Sequence, residues 1–134
     1  EIHCSHFIEH LPACDYKDKD YFFTFFDECY RILKPNAFMM VVCPSVRSER
    51  AFQDPTHRRF ITQATFFYLA APERKAMGLA HYNVDCDFEG NVVFSHDGEY
   101  ASRAAEVQQR AFKEAWNVLF DYHVKLKAIK PSRI

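Results

Sequence analysis

Glycine is scarce: the chain of 134 residues holds only 3, at positions 78, 90 and 98. They form no G-x-G, so the sequence has no glycine-rich turn of the kind that lets a backbone close on a phosphate or an adenosyl group. No cysteine pair has C-x-x-C spacing, and the 5 cysteines are an odd number. A zinc knuckle and a closed disulfide framework are therefore poor descriptions. Neither sign of charge dominates. The formal net charge is -1, which gives no signal for nucleic acid and no pull toward a membrane surface. No apolar run approaches the roughly 20 residues of a membrane span, and no basic-then-apolar leader is present.

Aromatic and apolar side chains are abundant. Hydrophobic content is 49%, with 14 Phe and 7 Tyr, enough to form a core and to exclude a disordered chain. The length corresponds to a single domain over residues 1–134. Most cysteines sit within apolar patterns, where the thiol behaves as a small hydrophobe. They read as reduced thiols, and a cytoplasmic location is expected. The first residues, EIHCS, already resemble the tail of a strand, so a truncated gene, a cleaved product or a cloned fragment is expected.

A charged loop at 15–20 leads to a helical stripe of Phe22, Phe26, Cys29, Tyr30 and Leu33, with Asp20 as its N-cap. Lys34, Pro35 and Asn36 end that helix. Residues 38–43 are a continuous apolar run stopped by Pro44, which predicts a strand buried on both faces, as in a parallel sheet. After an irregular stretch at 45–59, a helix is expected from Thr62 to Ala70 and a short one from Pro72 to near Gly78. Tyr82, Val84, Cys86 and Phe88 alternate with polar residues and predict a half-exposed strand. Gly90 and Asn91 then predict a tight hairpin into residues 92–94. A helix over 99–116 with Trp116 on its buried face and a last strand over 118–128 complete the pattern. The expected core is Phe26, Leu33, Met40, Val42, Phe66, Phe112, Trp116, Val124 and Leu126. The fold class is α/β, a mixed sheet with parallel strands, a C-terminal antiparallel pair and helices on its faces.

Several segments, in order, are similar to known ones. SHFIEHLP at 5–12 resembles the segment that follows the fourth strand of class I S-adenosylmethionine-dependent methyltransferases. FDECYRILKP at 26–35 resembles their helix and turn before the fifth strand, with Asn36 and Ala37 in place of the usual glycine pair. Residues 38–44 match that fifth strand. QDPTHRR at 53–59 resembles a loop of one subset of these enzymes, and HVKLKAIKP at 123–131 resembles the closing antiparallel strand. The resemblance implies the C-terminal part of a Rossmann-like methyltransferase domain, with S-adenosylmethionine as cofactor. The family's glycine-rich loop and its acidic ribose-binding strand end have no counterpart here, so weak or absent cofactor binding by this chain alone is expected.

The resemblance also orders the candidate site residues. Ser5 and His6, just after a strand, are expected to line the cofactor pocket, because ligands of open α/β sheets bind beyond the carboxyl ends of strands. Glu9 and His10 either orient groups there or only fix the turn. Asp54 and His57 form a carboxylate–imidazole pair able to take a proton from the methyl acceptor. The bland alternative is a turn cap at Asp54 and a surface histidine at 57. Arg58, with Arg59, either holds an acidic acceptor or is solvated. A zinc set of His3, Cys4, His6, His10 and Cys14 has no standard spacing, and no metal is expected. The acceptor is a small molecule or polymer of unknown identity. Two other readings stand beside the enzymatic one: an inactive fragment that serves as an oligomerising binding module, and a small His/Cys metal module. Lacking a first strand to pair with Ile2–Ser5, the chain is expected to form a homodimer or higher oligomer.

Overall fold

The computed structural model describes residues 1–14 and 19–133. Most of the charged loop expected at 15–20 therefore lies outside the described residues. Four strands, β1 (Ile2–Ser5), β2 (Phe38–Pro44), β3 (Phe88–His96) and β4 (Leu119–Ala128), form one sheet in the order β1-β2-β4-β3. β1 and β2 are parallel, while β4 runs antiparallel to both β2 and β3. Helix α1 (Tyr21–Ile32) crosses between the parallel strands, α2 (Ala71–Ala76) precedes β3, and α3 (Ala105–Glu114) joins β3 to β4. Short 3-10 turns occupy Ile8–His10, Glu49–Ala51 and Gln63–Leu69. The mixed α/β sheet expected from the sequence is present.

Helix α1 forms as its pattern predicts. The Asp20 carboxylate accepts from the Phe22 amide at 2.7 Å, capping its first turn. At its other end Lys130 donates to the carbonyls of Arg31 (3.1 Å) and Leu33 (2.6 Å), groups left without helical partners. Asn36 takes the left-handed conformation (φ 63°) expected at this turn. The helix buries Phe22, Phe23, Phe26 and Cys29 against one face of the sheet, where Met39, Val41, Cys43, Val124 and Leu126 meet Phe66 and Leu69.

Strand β2 is not buried on both sides. Met39, Val41 and Cys43 are fully buried, but Met40 and Val42, expected in the core, are only half-buried. The pleat sends alternate residues to opposite faces. On the second face Met40 stands opposite Lys125, and Val42 opposite His123, itself paired with the exposed Val93. That face is therefore half-open and partly polar.

Three other expectations are corrected. Residues 83–87 form no strand. Side chains take up much of their backbone bonding: Asp27 accepts from the amides of Asp85 (3.0 Å) and Cys86 (2.8 Å), and buried Arg74 donates to the carbonyls of Val84 (3.1 Å) and Cys86 (2.7 Å). Gly90 and Asn91 form no hairpin but lie within β3. A Cβ at Gly90 would come within 3.1 Å of Leu126 on β4, so this glycine serves close strand approach rather than a turn. The helix expected over 99–116 is broken. A 3-10 turn at Gly98–Tyr100, capped by Asp97, is followed by α3, and the Gln108 amide donates to the carbonyls of Tyr100, Ala101 and Arg103 across the break. None of α3 is fully buried, Phe112 is half-buried, and Trp116 is 53% exposed. Its alanines offer too little apolar area to hold the helix face against the sheet.

All five cysteines are free, and Cys14 alone is exposed. Burial pushes the thiols of Cys4 and Cys29 up to about 11, and those of Cys43 and Cys86 higher still.

Candidate functional site at the carboxyl ends of β1 and β2

Parallel pairing puts the ends of β1 and β2 side by side, with Ser5 in register with Val42. The His6 amide donates to the Val42 carbonyl (2.8 Å), and His6 then turns the chain sharply with φ 49°. The Ser5 and His6 side chains are exposed at this rim. The turn Ile8–His10 that follows drops Glu9 into the protein, 1% exposed, while His10 stays half-buried.

The loop after β2 returns to the same place. Arg58 and Arg59 both donate their amides to the Glu9 carbonyl (2.7 and 3.0 Å), fastening the loop to the turn after β1. Arg59 goes further. Its guanidinium donates to the carbonyls of Leu11 and Pro12 and pairs with Asp20 at 2.8 Å. It is a strut rather than a substrate-holding group. Arg58 keeps an exposed side chain.

The convergence brings together most of the residues picked from the sequence. His6 Nδ1 lies 3.4 Å from Glu9 Oε1, the His10 and His57 rings meet edge-on with centroids 4.7 Å apart, and His57 Nε2 is 3.9 Å from Asp54 Oδ2. One ligand-type atom from each of Glu9, His10 and His57 lies within 4.8 Å of the others. The His57 side chain is only 8% exposed, which overturns the surface reading of that residue. The turn-cap reading of Asp54 holds alongside its place in the cluster, since it accepts from both the amide (2.8 Å) and the hydroxyl (2.7 Å) of Thr56. Those two hydrogen bonds, amide first, hold the Asp54 carboxyl below its ordinary value.

Proton positions follow from these contacts. His57 Nδ1 lies 2.9 Å from the Ala51 carbonyl, which can only accept, so Nδ1 carries the proton and Nε2 presents a lone pair in the neutral ring. The single proton of the Thr56 hydroxyl goes to Asp54. His10 Nδ1, 3.1 Å from that hydroxyl, must then donate to it, leaving His10 Nε2 with a lone pair as well. Both rings are thus set as acceptors or ligands through Nε2, and a buried carboxylate stands beside them.

Sequence reasoning missed Thr56, whose hydroxyl links His10 to Asp54, and also an aromatic platform on the same loop. Phe52 stacks on Phe60 at 4.7 Å and 21°, and Trp116 lies 5.7 Å from Phe52, with all three about half exposed. The available signal was two phenylalanines flanking a polar loop; the link to Trp116 was invisible because it is tertiary.

The comparisons bear on the fold. Among solved structures, this chain is similar to a SAM-dependent methyltransferase from Archaeoglobus fulgidus, with a TM-score of 0.59 and 19% identity over 93% of this chain. The chain spans 57% of that protein's length. No family model matches the sequence. No curated protein matches it either. Among the described residues no helix is long and apolar enough to cross a membrane.

Proposed function

We propose that this chain forms the acceptor-side wall of a class I methyltransferase site, in the C-terminal part of the domain. One observation carries the reading: His6, Glu9, His57 and Asp54 form a continuous polar cluster at the carboxyl ends of adjacent parallel strands, the place where open α/β sheets bind ligands. Bound S-adenosylmethionine supplies an electrophilic methyl group on a sulfonium. Ser5 and His6, exposed at the rim, fit one wall of a pocket for it. His57 Nε2 takes the proton that an acceptor hydroxyl or amine releases as its oxygen or nitrogen bonds the methyl carbon, whose bond to sulfur breaks to leave a neutral thioether, and Asp54 stabilises the resulting imidazolium. Arg58 and the Phe52–Phe60–Trp116 platform border the acceptor, a small molecule or polymer. A cytoplasmic location belongs to the same proposal and rests on the unpaired cysteines.

The chain contains no G-x-G, so weak or absent binding of the cofactor by this chain alone is part of the proposal. Amide NMR spectra recorded during titration with S-adenosylmethionine test this. Shifts confined to Ser5, His6, Glu9, His10 and the facing loop, with α3 unmoved, are expected. Shifts centred elsewhere, or micromolar affinity by calorimetry, would defeat the proposal.

A second reading, a binding module that assembles with its own copies, is favoured by one observation. Among the described residues β1 is an edge strand of the sheet, with no strand paired on its outer side.

A further inference from the structure

We infer that Glu9, His10 and His57 form a binding site for a divalent transition-metal ion. The sequence did not point to it. The zinc set weighed from spacing, His3, Cys4, His6, His10 and Cys14, is not the one the fold assembles, and Glu9 and His57 are 48 positions apart. The inference does not rest on methyl transfer, since it needs only the three side chains and their supports, and an ion on His57 Nε2 takes the lone pair that would otherwise accept the proton.

Two independent observations carry it. The first is the ligand set, with one donor atom from each of the three residues within 4.8 Å of the others. Two imidazoles and one carboxylate bind zinc in hydrolases and iron in oxygenases, and leave positions open for water or substrate. Metal–ligand bonds of about 2.0–2.2 Å separate tetrahedral ligands by about 3.4 Å, so a contraction of at most about 1.4 Å closes the site. The second observation is Glu9 itself. Its residue is 1% exposed, and neither carboxylate oxygen has a hydrogen-bond partner among the described residues. His6 approaches one of them at 3.4 Å without the alignment of a hydrogen bond. A buried carboxylate left this way is costly, and a cation offsets that cost.

The supporting contacts suit a metal too. The Ala51 carbonyl fixes His57 and the Thr56–Asp54 pair fixes His10 through Nδ1, leaving each Nε2 free, as carbonyl and carboxylate partners do around metal-bound histidines. Glu9 and Asp54 together bring two negative charges to a dication held by two neutral rings.

The test is titration of the full chain with Co2+ as a spectroscopic probe and with Zn2+ by equilibrium dialysis. The expected result is one ion per chain, with a cobalt spectrum free of thiolate charge-transfer bands. E9Q and H57N should each weaken binding by more than the roughly 10–100-fold typical of losing an outer partner, and T56V should fall within that range. Should E9Q unfold by circular dichroism, H10N, at a half-buried position, carries the same expectation. Absence of stoichiometric binding would overturn the inference and leave Glu9 as the ion-pair partner of protonated histidines. Binding unchanged in the folded variants, or a spectrum dominated by thiolate, would overturn it as well. Loss of metal with S-adenosylmethionine shifts retained, or the reverse, separates this site from the proposed transfer function.

Discussion

At the scale of single residues, the most consequential side chain outside the candidate site is Asp87. It is fully buried and accepts from the amides of Ala71 (3.0 Å) and Arg133 (2.9 Å) and from the Arg133 guanidinium (2.9 and 2.8 Å). One carboxylate therefore joins the start of α2, the entry to β3 and the C-terminal segment. Burial by itself raises its pKa. The Arg133 side chain and the two amides outweigh burial and bring it below the ordinary value. A carboxyl whose folded value is depressed stabilises the protein above its unfolded value, and that contribution disappears as the pH falls through the folded one. Replacing Asp87 by Ala should cost about 3 kcal/mol at neutral pH, because it strips both amides and the guanidinium of their acceptor. In thermal melts that is a drop of roughly 10 °C, which should narrow in acid. A variant that melts with the wild type at neutral pH would show that these bonds add nothing.

Elements differ in how much of their burial the sequence revealed. α1 was legible because Phe22, Phe26 and Cys29 repeat at helical spacing between an Asp cap and a Lys-Pro stop, and local chemistry decides the outcome. The pairing of β1 with β2 and the meeting of the loops carrying Glu9 and His57 followed from motif order, not from spacing. Phe112 and Trp116 misled because an apolar stripe shows which side a helix would bury, not whether a partner surface exists. The Thr56 hydroxyl and the Arg59 strut were beyond reach, since their partners lie 46 and 48 positions away. Paired substitutions make the contrast measurable. Phe26→Ala, at a fully buried ring, should cost about 3–5 kcal/mol. Trp116→Ala, at a half-exposed ring, should cost about 1 kcal/mol or less. Equal losses in denaturant titrations would contradict the placement of Trp116.

For the whole molecule, the sheet has one well-covered face and one half-open one, and β1 forms an edge. Backbone groups along that edge, next to the half-open face carrying Met40, Val42 and Val93, are suited to pairing between two copies of this chain. Sedimentation at high micromolar concentration should show dimers or larger species, and His3→Pro should shift them toward monomer, because the His6 amide faces β2 and the alternating His3 amide therefore faces the open edge. A stable monomer at that concentration would rule out the pairing.

The cysteines give the folded chain a chemical asymmetry. Four thiols lie inside and resist ionisation, while Cys14 sits in the open a few residues beyond the Glu9–His10 turn. A thiol-directed fluorophore will therefore attach to the native protein at a single address, with no cysteine needing to be removed. Attachment at all five becomes possible only once the core has opened, so the number of dyes per chain counts folded molecules.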